Sequence, residues 1–229
     1  MKLEAMNWMQ VEQYLEHDDR IMLVTGACEQ HGYLSLLTDV LEPMAIAERA
    51  ASREAVLIAP PLAFGVSPHF TAYPGTIPLT AATFLLVVRE ILGALNAQGF
   101  RRILVLNGHG GNRLGETLVE TANANPGLVL DTLNWWQLPE VHAIAARHGL
   151  APSHANWSEN FPFTRIVPVP RGAKPPVNPP VGRSAVEIRA ALGDGSYGGA
   201  YQAPDGVMEE VLTAAVDVVV SRLVALRRS

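Results

Sequence analysis

Short apolar, β-branched runs, each followed by a stretch of helical spacing, limit the possible folds of this chain more than any other feature. The clearest run is Ile103-Leu104-Val105-Leu106, which has no polar side. A strand that is apolar on both sides must be covered on both, as a parallel strand between two helical layers is. Comparable runs at 21–25, 55–58, 103–107, 128–133 and 165–169 are predicted strands. Residues 41–52, 81–98, 112–123 and 139–147 have helix-forming composition and spacing, and 207–228 closes the chain as an amphipathic helix. Gly99 is placed to stop the second of these helices. The alternation predicts a three-layer α/β/α fold with a mostly parallel central sheet.

At 229 residues, 48% hydrophobic and 17% charged, the chain can bury a large core and reads as a single domain over 1–229. Its net charge of −5 leaves no basic stripe for phosphates, so no nucleic-acid partner is expected. Apolar runs such as 83–88 and 211–220 are too short or too interrupted to span a bilayer. Glu4, Glu12 and Asp18 stand where a secretion signal would be basic and then apolar. A single cysteine, Cys28, cannot form an internal disulfide and suits a reducing compartment. The expectation is a cytoplasmic protein with no membrane partner. The proline-rich 167–180 reads as an ordered crossing loop, and the glycine-rich 193–206 as a loop at an active site or an interface.

Residues able to bind metal gather where predicted strands end, which is where open α/β sheets collect ligands. The segment after the first strand offers Glu29, His31 and Asp39; NGHGGN after the third offers Asn107, His109 and Asn112. SHANWSEN, before the last predicted strand, offers His154 and Glu159. Residues two apart on extended backbone project to one side, so Glu29 and His31 can face one site. Imidazole and carboxylate together suit zinc, manganese or iron, and a bridging carboxylate suits a two-metal site. NGHGGN lacks both GxGxxG spacing and the lysine of a P-loop, so His109 reads as a ligand in place of a phosphate cradle. The amides of Gly110 and Gly111 are candidate oxyanion donors.

These blocks together, EQHG with the later TD, HFTAYPGTIPLT, NGHGGN and HANWSEN, resemble the signature segments of the creatininase (creatinine amidohydrolase) family. The resemblance runs over about 24–159, with a weaker echo at 194–206. It implies a single-domain α/β hydrolase with two divalent metals per chain, zinc first and manganese or iron as alternatives. Homo-oligomers, often hexamers, are implied too. Carried over by position, Glu29, His31, Asp39 and His109 are metal ligands, with Asp39 the bridge. Creatininase itself has a glutamate where this chain has Gly111; in branches with NGHGGN the last carboxylate comes from the later segment, which makes Glu159 the fifth ligand. His154 matches a position of proton transfer. The spacer between His31 and Asp39 is one residue shorter than the family pattern, YLSL replaces PHLPL, and Asn156 replaces the glycine of HAG. Creatinine therefore does not follow as substrate; a cyclic amide, a formamide or a small peptide each fits.

The implied reaction is hydrolysis of a small amide C–N bond by a metal-bridging hydroxide, with His154 moving the proton. His69, Tyr73 and Thr76 are candidate substrate contacts, and Trp157 a candidate stacking surface for a planar ligand. His17, His142 and His148 read as surface residues, while Trp135 and Trp136 fit a pocket wall or an oligomer interface equally. Two other classes compete: a metal-free amidase using Cys28 as nucleophile, and a catalytically silent binding or scaffold protein on the same fold.

Overall fold

A computed structural model describes residues 1–178 and 182–227. In chain order its elements are α1 (Trp8–Leu15), β1 (Arg20–Thr25), α2 (Thr38–Glu54), β2 (Leu57–Ile58), α3 (Ala81–Gln98), β3 (Arg102–Asn107), α4 (Gly115–Ala124), β4 (Val129–Asn134), α5 (Pro139–Arg147), β5 (Ala173–Lys174), α6 (Ala185–Leu192), β6 (Gly199–Ala200) and α7 (Asp205–Ala225). The main sheet has the order β2-β1-β3-β4 and is parallel throughout. β5 and β6 form a small antiparallel pair.

The two faces of the sheet are covered by two separate apolar clusters. Met22, Val24, Leu104 and Leu106 pack with α2, α5 and α7 on one side. Ile21, Leu23, Ile103 and Val105 pack with α3 and α4 on the other. Alternate residues of one strand thus feed opposite layers, and the predicted α/β/α sandwich is observed. α3 has the length and composition of a membrane-crossing helix, a test that the core helix of a globular protein also passes. In the fold Phe84, Val88, Leu92 and Leu95 are buried against the sheet, while most of the helix is not, Leu86 among its exposed apolar residues.

Register explains where the site forms. Thr25 at the end of β1 lies level with Asn107 at the end of β3, and Asn107 lies level with Asn134 at the end of β4. The segments that follow β1 and β3 therefore leave the sheet side by side at its carboxyl edge.

Two expectations fail for traceable reasons. Residues 165–169 form no strand; a single bridge joins Arg165 to Leu34. Pro168 and Pro170 have no N–H to give a ladder, and Ile166 and Val167 are left exposed. HANWSEN consequently hangs from a loop and not from a strand. Helices α1 and α6 were not anticipated, although each starts at a capping box, Asn7 with Gln10 and Ser184 with Glu187. The proline-rich segment crosses the molecule with only β5 as regular structure over 167–178; its Pro179 and Pro180, and Arg228 of the predicted last helix, lie outside the described residues.

Candidate metal centre

Asp39 is the centre of the cluster, and its placement begins with a broken backbone bond. It lies in the first turn of α2, and Pro43, four residues on, has no N–H to donate to the Asp39 carbonyl. That carbonyl instead lies beside the turns after β1 and β3. A Cβ on Gly26 would come within 2.5 Å of it, and one on Gly108 within 2.0 Å. Neither position tolerates a side chain, so these glycines let three backbone segments close around one carboxylate. Gly111 is similarly tight, since a Cβ there would meet the Val66 carbonyl at 2.1 Å. Gly108 and Gly111 of NGHGGN thus let backbone segments of the protein approach one another, where the sequence suggested approach to a metal or substrate. Asn107 and Asn112, offered by the sequence beside His109, are engaged within the turn. Their side chains bond the His109 backbone, the Gly26 carbonyl and the Val66 amide, and so fix the turn.

The two oxygens of Asp39 face two different imidazole–carboxylate pairs. Oδ1 is 3.0 Å from His31 Nε2, which lies 3.9 Å from Glu159 Oε2. Oδ2 is 2.8 Å from His109 Nδ1, which lies 3.5 Å from Glu29 Oε2. Within each trio the ligand atoms lie within 4.8 Å of one another, and Glu29 joins a third group with His31 and His154. Atoms held at about 2.0–2.2 Å from one ion sit at about this spacing.

Each histidine has its far nitrogen against a backbone carbonyl. His31 Nδ1 is 3.1 Å from the Glu29 carbonyl, and His109 Nε2 is 3.0 Å from that of Val66. With those N–H groups donating, the near nitrogen is left to carry a lone pair toward the carboxylates, the tautomer of a ligating imidazole. Glu29 Oε2 and Asp39 Oδ2 are buried without a hydrogen-bond partner. The 2.8 Å approach of Oδ2 to His109 is close without being aligned as a hydrogen bond. Buried oxygens of this kind are costly unless something fills the gap, and this donor set fits divalent cations.

The charges tell the same story. Burial raises Glu29 to about 7, with the charge of Asp39 adding to the shift. Burial also raises Glu159 to about 7. Burial works against charge on His31, yet Asp39, Glu159 and Glu29 outweigh it and lift the imidazole to about 10. His109 rises to about 9 against the same opposition, chiefly through its contact with Asp39. Asp39 itself is held below the usual carboxylate range, because His31 and His109 overcome its burial. Without a cation the cluster neutralises itself with protons.

His154 differs. Burial, and then the neighbouring His31, push it well below the usual imidazole range, so it is neutral near pH 7. Phe70 stacks on it at 4.7 Å and Tyr197 tilts against it at 5.0 Å. Its Nε2 lies 3.1 Å from the Gln30 carbonyl, and its Nδ1 lies 3.8 Å from Glu29 Oε1. Gln30, between two predicted ligands, also donates to the Gly195 carbonyl and accepts from the Gly32 amide. The glycine-rich loop is therefore tied to the centre, and a Cβ on Gly195 would strike Gln30 at 1.7 Å.

A cavity of about 690 Å³ opens above the cluster. Glu29, Asp39, His109, His154 and Glu159 line it, with Gly110, Gly111 and the exposed His69. Other candidates are placed elsewhere. Trp157 is fully buried in the core and donates Nε1–H to the Ala151 carbonyl, so it cannot stack on a ligand. Tyr73 packs against Ile188 and Leu192 and donates to the Gly193 carbonyl. Thr76 accepts from the Gln30 amide, which positions the EQH segment. Neither lines the cavity. Trp136 does, while Trp135 is buried against Phe161, and His142, taken as a surface residue, reaches the rim. Sequence reasoning missed Gln30, Phe70, Tyr197, Arg113 and the buried Glu42; Gln30, inside EQH, and Phe70, inside HFTAYPGT, lay in segments already singled out.

Sheet edge, tight glycine turns and a carboxylate-split cluster define an α/β protein with a buried carboxylate–imidazole group of a kind that could hold metal ions. The chain belongs to the creatininase family: the family model for creatinine amidohydrolase matches residues 4–223. It is 34% identical to a creatinine amidohydrolase of Pseudomonas putida over 111 residues, 45% of this chain and 43% of that one. A mycofactocin precursor peptide peptidase of Mycolicibacterium smegmatis is 39% identical over 101 residues, 40% of each chain. A 3-dehydro-scyllo-inosose hydrolase of Thermotoga maritima is 28% identical over 109 residues, 47% of this chain and 35% of that one. The alignments thus span less than half the length of these relatives. Solved structures agree in fold: a manganese creatininase superposes with a TM-score of 0.82 at 23% identity, covering 99% of both chains. A Zn–Zn type variant creatininase gives 0.82 at 23% identity, over 99% of this chain and 98% of that one.

Proposed function

We propose that this protein is a divalent-metal-dependent amidohydrolase that cleaves the C–N bond of a small amide. The observation that carries this reading is the division of Asp39 between two imidazole–carboxylate pairs beneath an open cavity. Glu29 with His109, and His31 with Glu159, would each hold one ion, and Asp39 would serve both. Zinc is the first choice and manganese or iron the alternatives, in keeping with the Zn–Zn and manganese forms of the structural neighbours. When bound, the ions supply Lewis acidity and a water that loses its proton near neutral pH.

The chain's own residues do the rest. His154, neutral and held by Phe70 and Gln30, takes up the proton of the attacking water and returns it to the departing nitrogen. Glu29 beside it limits how far the imidazolium can be stabilised, since its carboxyl is shared with His109. The substrate is a small amide, of which a cyclic amide, a formamide and a small peptide are the kinds the sequence suggests, and the working protein is a cytoplasmic homo-oligomer, a hexamer by family likeness. Exposed apolar side chains on α3, α4 and β4 (Leu86, Val119 and Val129) support an assembly.

Cys28 does not support the competing thiol mechanism. Its Sγ donates to the Gly75 carbonyl at 3.4 Å, and burial with the nearby Glu29 raises its pKa, the reverse of an activated thiolate. The test is turnover of a panel of formamides, cyclic amides and dipeptides by protein stripped with a chelator and reloaded with zinc or manganese. Activity that disappears and returns with the metal, and that survives Cys28→Ala, is expected. Activity indifferent to the chelator would overturn the reading.

A further inference from the structure

The metal cluster accounts for the floor of the cavity but not for its mouth. Arg113 lines the cavity and is exposed. Its backbone is fixed by the preceding Asn112, which is tied to the Gly26 carbonyl and the Val66 amide. Among the described residues, Arg113 and Arg171 are the only cationic side chains without a hydrogen bond, an ion pair or a ring contact, and Arg171 does not line the cavity. Elsewhere the arginines find partners readily, as Arg49 does with Glu209 and Arg147 with Glu210. At the mouth no acid is offered. The carboxylates lining the cavity are Glu29, Asp39 and Glu159, all at the floor and engaged with the cluster histidines. His69 and His142, from two other elements, add further donors around the same opening. Apolar side chains line the cavity as well, Phe84, Leu85 and Trp136 among them.

A ligand that satisfies all three features carries an amide at the floor, an apolar body along the wall and an anion at the mouth. Resting on the amidohydrolase reading above, we propose that the substrate is an N-acylated amino acid with an apolar side chain, whose α-carboxylate is held by Arg113. A guanidinium matches a planar carboxylate with two parallel N–H donors, and a cavity of this volume takes a ligand of that size. In the reaction, water adds across the C–N bond. The acyl carbon gains the oxygen, the nitrogen gains the proton, and the products are a carboxylic acid and the free amino acid.

The test compares N-acetyl-L-phenylalanine with its neutral amide, N-acetyl-L-phenylalaninamide, on the metal-loaded protein, by kcat/KM or, without turnover, by Kd from calorimetry. A charge-assisted contact of this kind predicts a preference of about 10–100-fold for the acid. Arg113→Gln removes that preference, and Arg113→Lys keeps only part of it, because the charge stays but the fork is lost. Arg113 is exposed, so both variants are expected to fold, and an unchanged melting temperature checks this. Equal handling of acid and amide by the wild type, or a preference that survives Arg113→Gln because the metals alone hold the carboxylate, overturns the proposal. So does tenfold tighter binding of the tripeptide Ala-Ala-Phe, which would move the assignment to peptide termini. Failure of the amidohydrolase reading looks different: the acid is still preferred, but it is bound and never cut.

Discussion

The site is built in two halves by different means. One half, Glu29, Asp39 and His109, comes from the carboxyl edge of the sheet and is locked by parallel register and by glycines that no side chain can replace. The other half, His154 and Glu159, hangs from an irregular segment held by side-chain bonds, such as the Glu159 carboxylate accepting from the Ala155 amide at 2.5 Å. Ala155 sits there at φ 53°, a left-handed conformation that costs a non-glycine residue about 1 kcal/mol. The difference teaches a division of labour: the edge fixes the Asp39 carboxylate, and the loop brings His154 and Glu159 to it.

Removing the imidazole of the loop half should cost catalysis without costing metal. His154→Ala is expected to lower kcat by about 10²–10⁴-fold while the metal content stays at the wild-type level, read by steady-state kinetics beside elemental analysis. The sheet half should behave in the opposite way. Gly108→Ala drives a Cβ toward the Asp39 carbonyl, and a stability loss of about 3 kcal/mol or more should appear in urea unfolding together with reduced metal uptake. A Gly108→Ala protein as stable as the wild type would break the distinction. Gln30 joins the halves through Gly195, Gly32 and the His154 ring. Gln30→Ala should therefore lower kcat by about 10–100-fold, with KM changed less.

The pH dependence sharpens the same contrast. In the metal-free protein Glu29, Glu159, His31 and His109 all bind protons more tightly than in the unfolded chain. Raised groups stabilise below their unfolded pKa and lose that contribution as pH climbs through the folded value. For the two glutamates this spans about 4.5 to 7, and for the two histidines 6.5 to about 9–10. Melting of chelator-stripped protein should fall from pH 5 to pH 9, and metal binding should release protons, measured by calorimetry in buffers of different ionisation enthalpy. Melting that rises over that range would contradict the proton-filled cluster. The smallest effect is expected at Glu42, whose carboxyl is buried, pushed well up by burial, and left with an unpartnered Oε1. Glu42→Leu should be neutral or should stabilise by about 1 kcal/mol, read as a shift in unfolding midpoint.

Legibility in the sequence followed the same line between the halves. The strands over 21–25 and 103–107, and the helices over 81–98 and 139–147, could be read because apolar periodicity and Gly99 reflect local physics. Glu29, His31, Asp39, His109, His154 and Glu159 were legible as motifs, and the structure brings them together. What could not be read depends on contacts distant in sequence. Nothing local distinguishes Trp157, buried in the core, from a ligand-facing tryptophan, nor shows that Phe70 stacks on His154 from far along the chain. The strand expected at 165–169 had β-branched residues but lacked a neighbour with which to build a ladder, and its prolines prevented one. Asn7 and Ser184 did announce α1 and α6, and those boxes were there to be read.

The most direct measurement is metal content per chain, by elemental analysis, for the wild type, Asp39→Ala and Glu159→Ala after soaking with zinc or manganese. With Asp39 serving both positions, the wild type should hold two ions, Asp39→Ala should lose both, and Glu159→Ala should keep the one held with Glu29 and His109. An Asp39→Ala protein that retains two ions, or a wild type that takes up none, would contradict the shared-carboxylate centre.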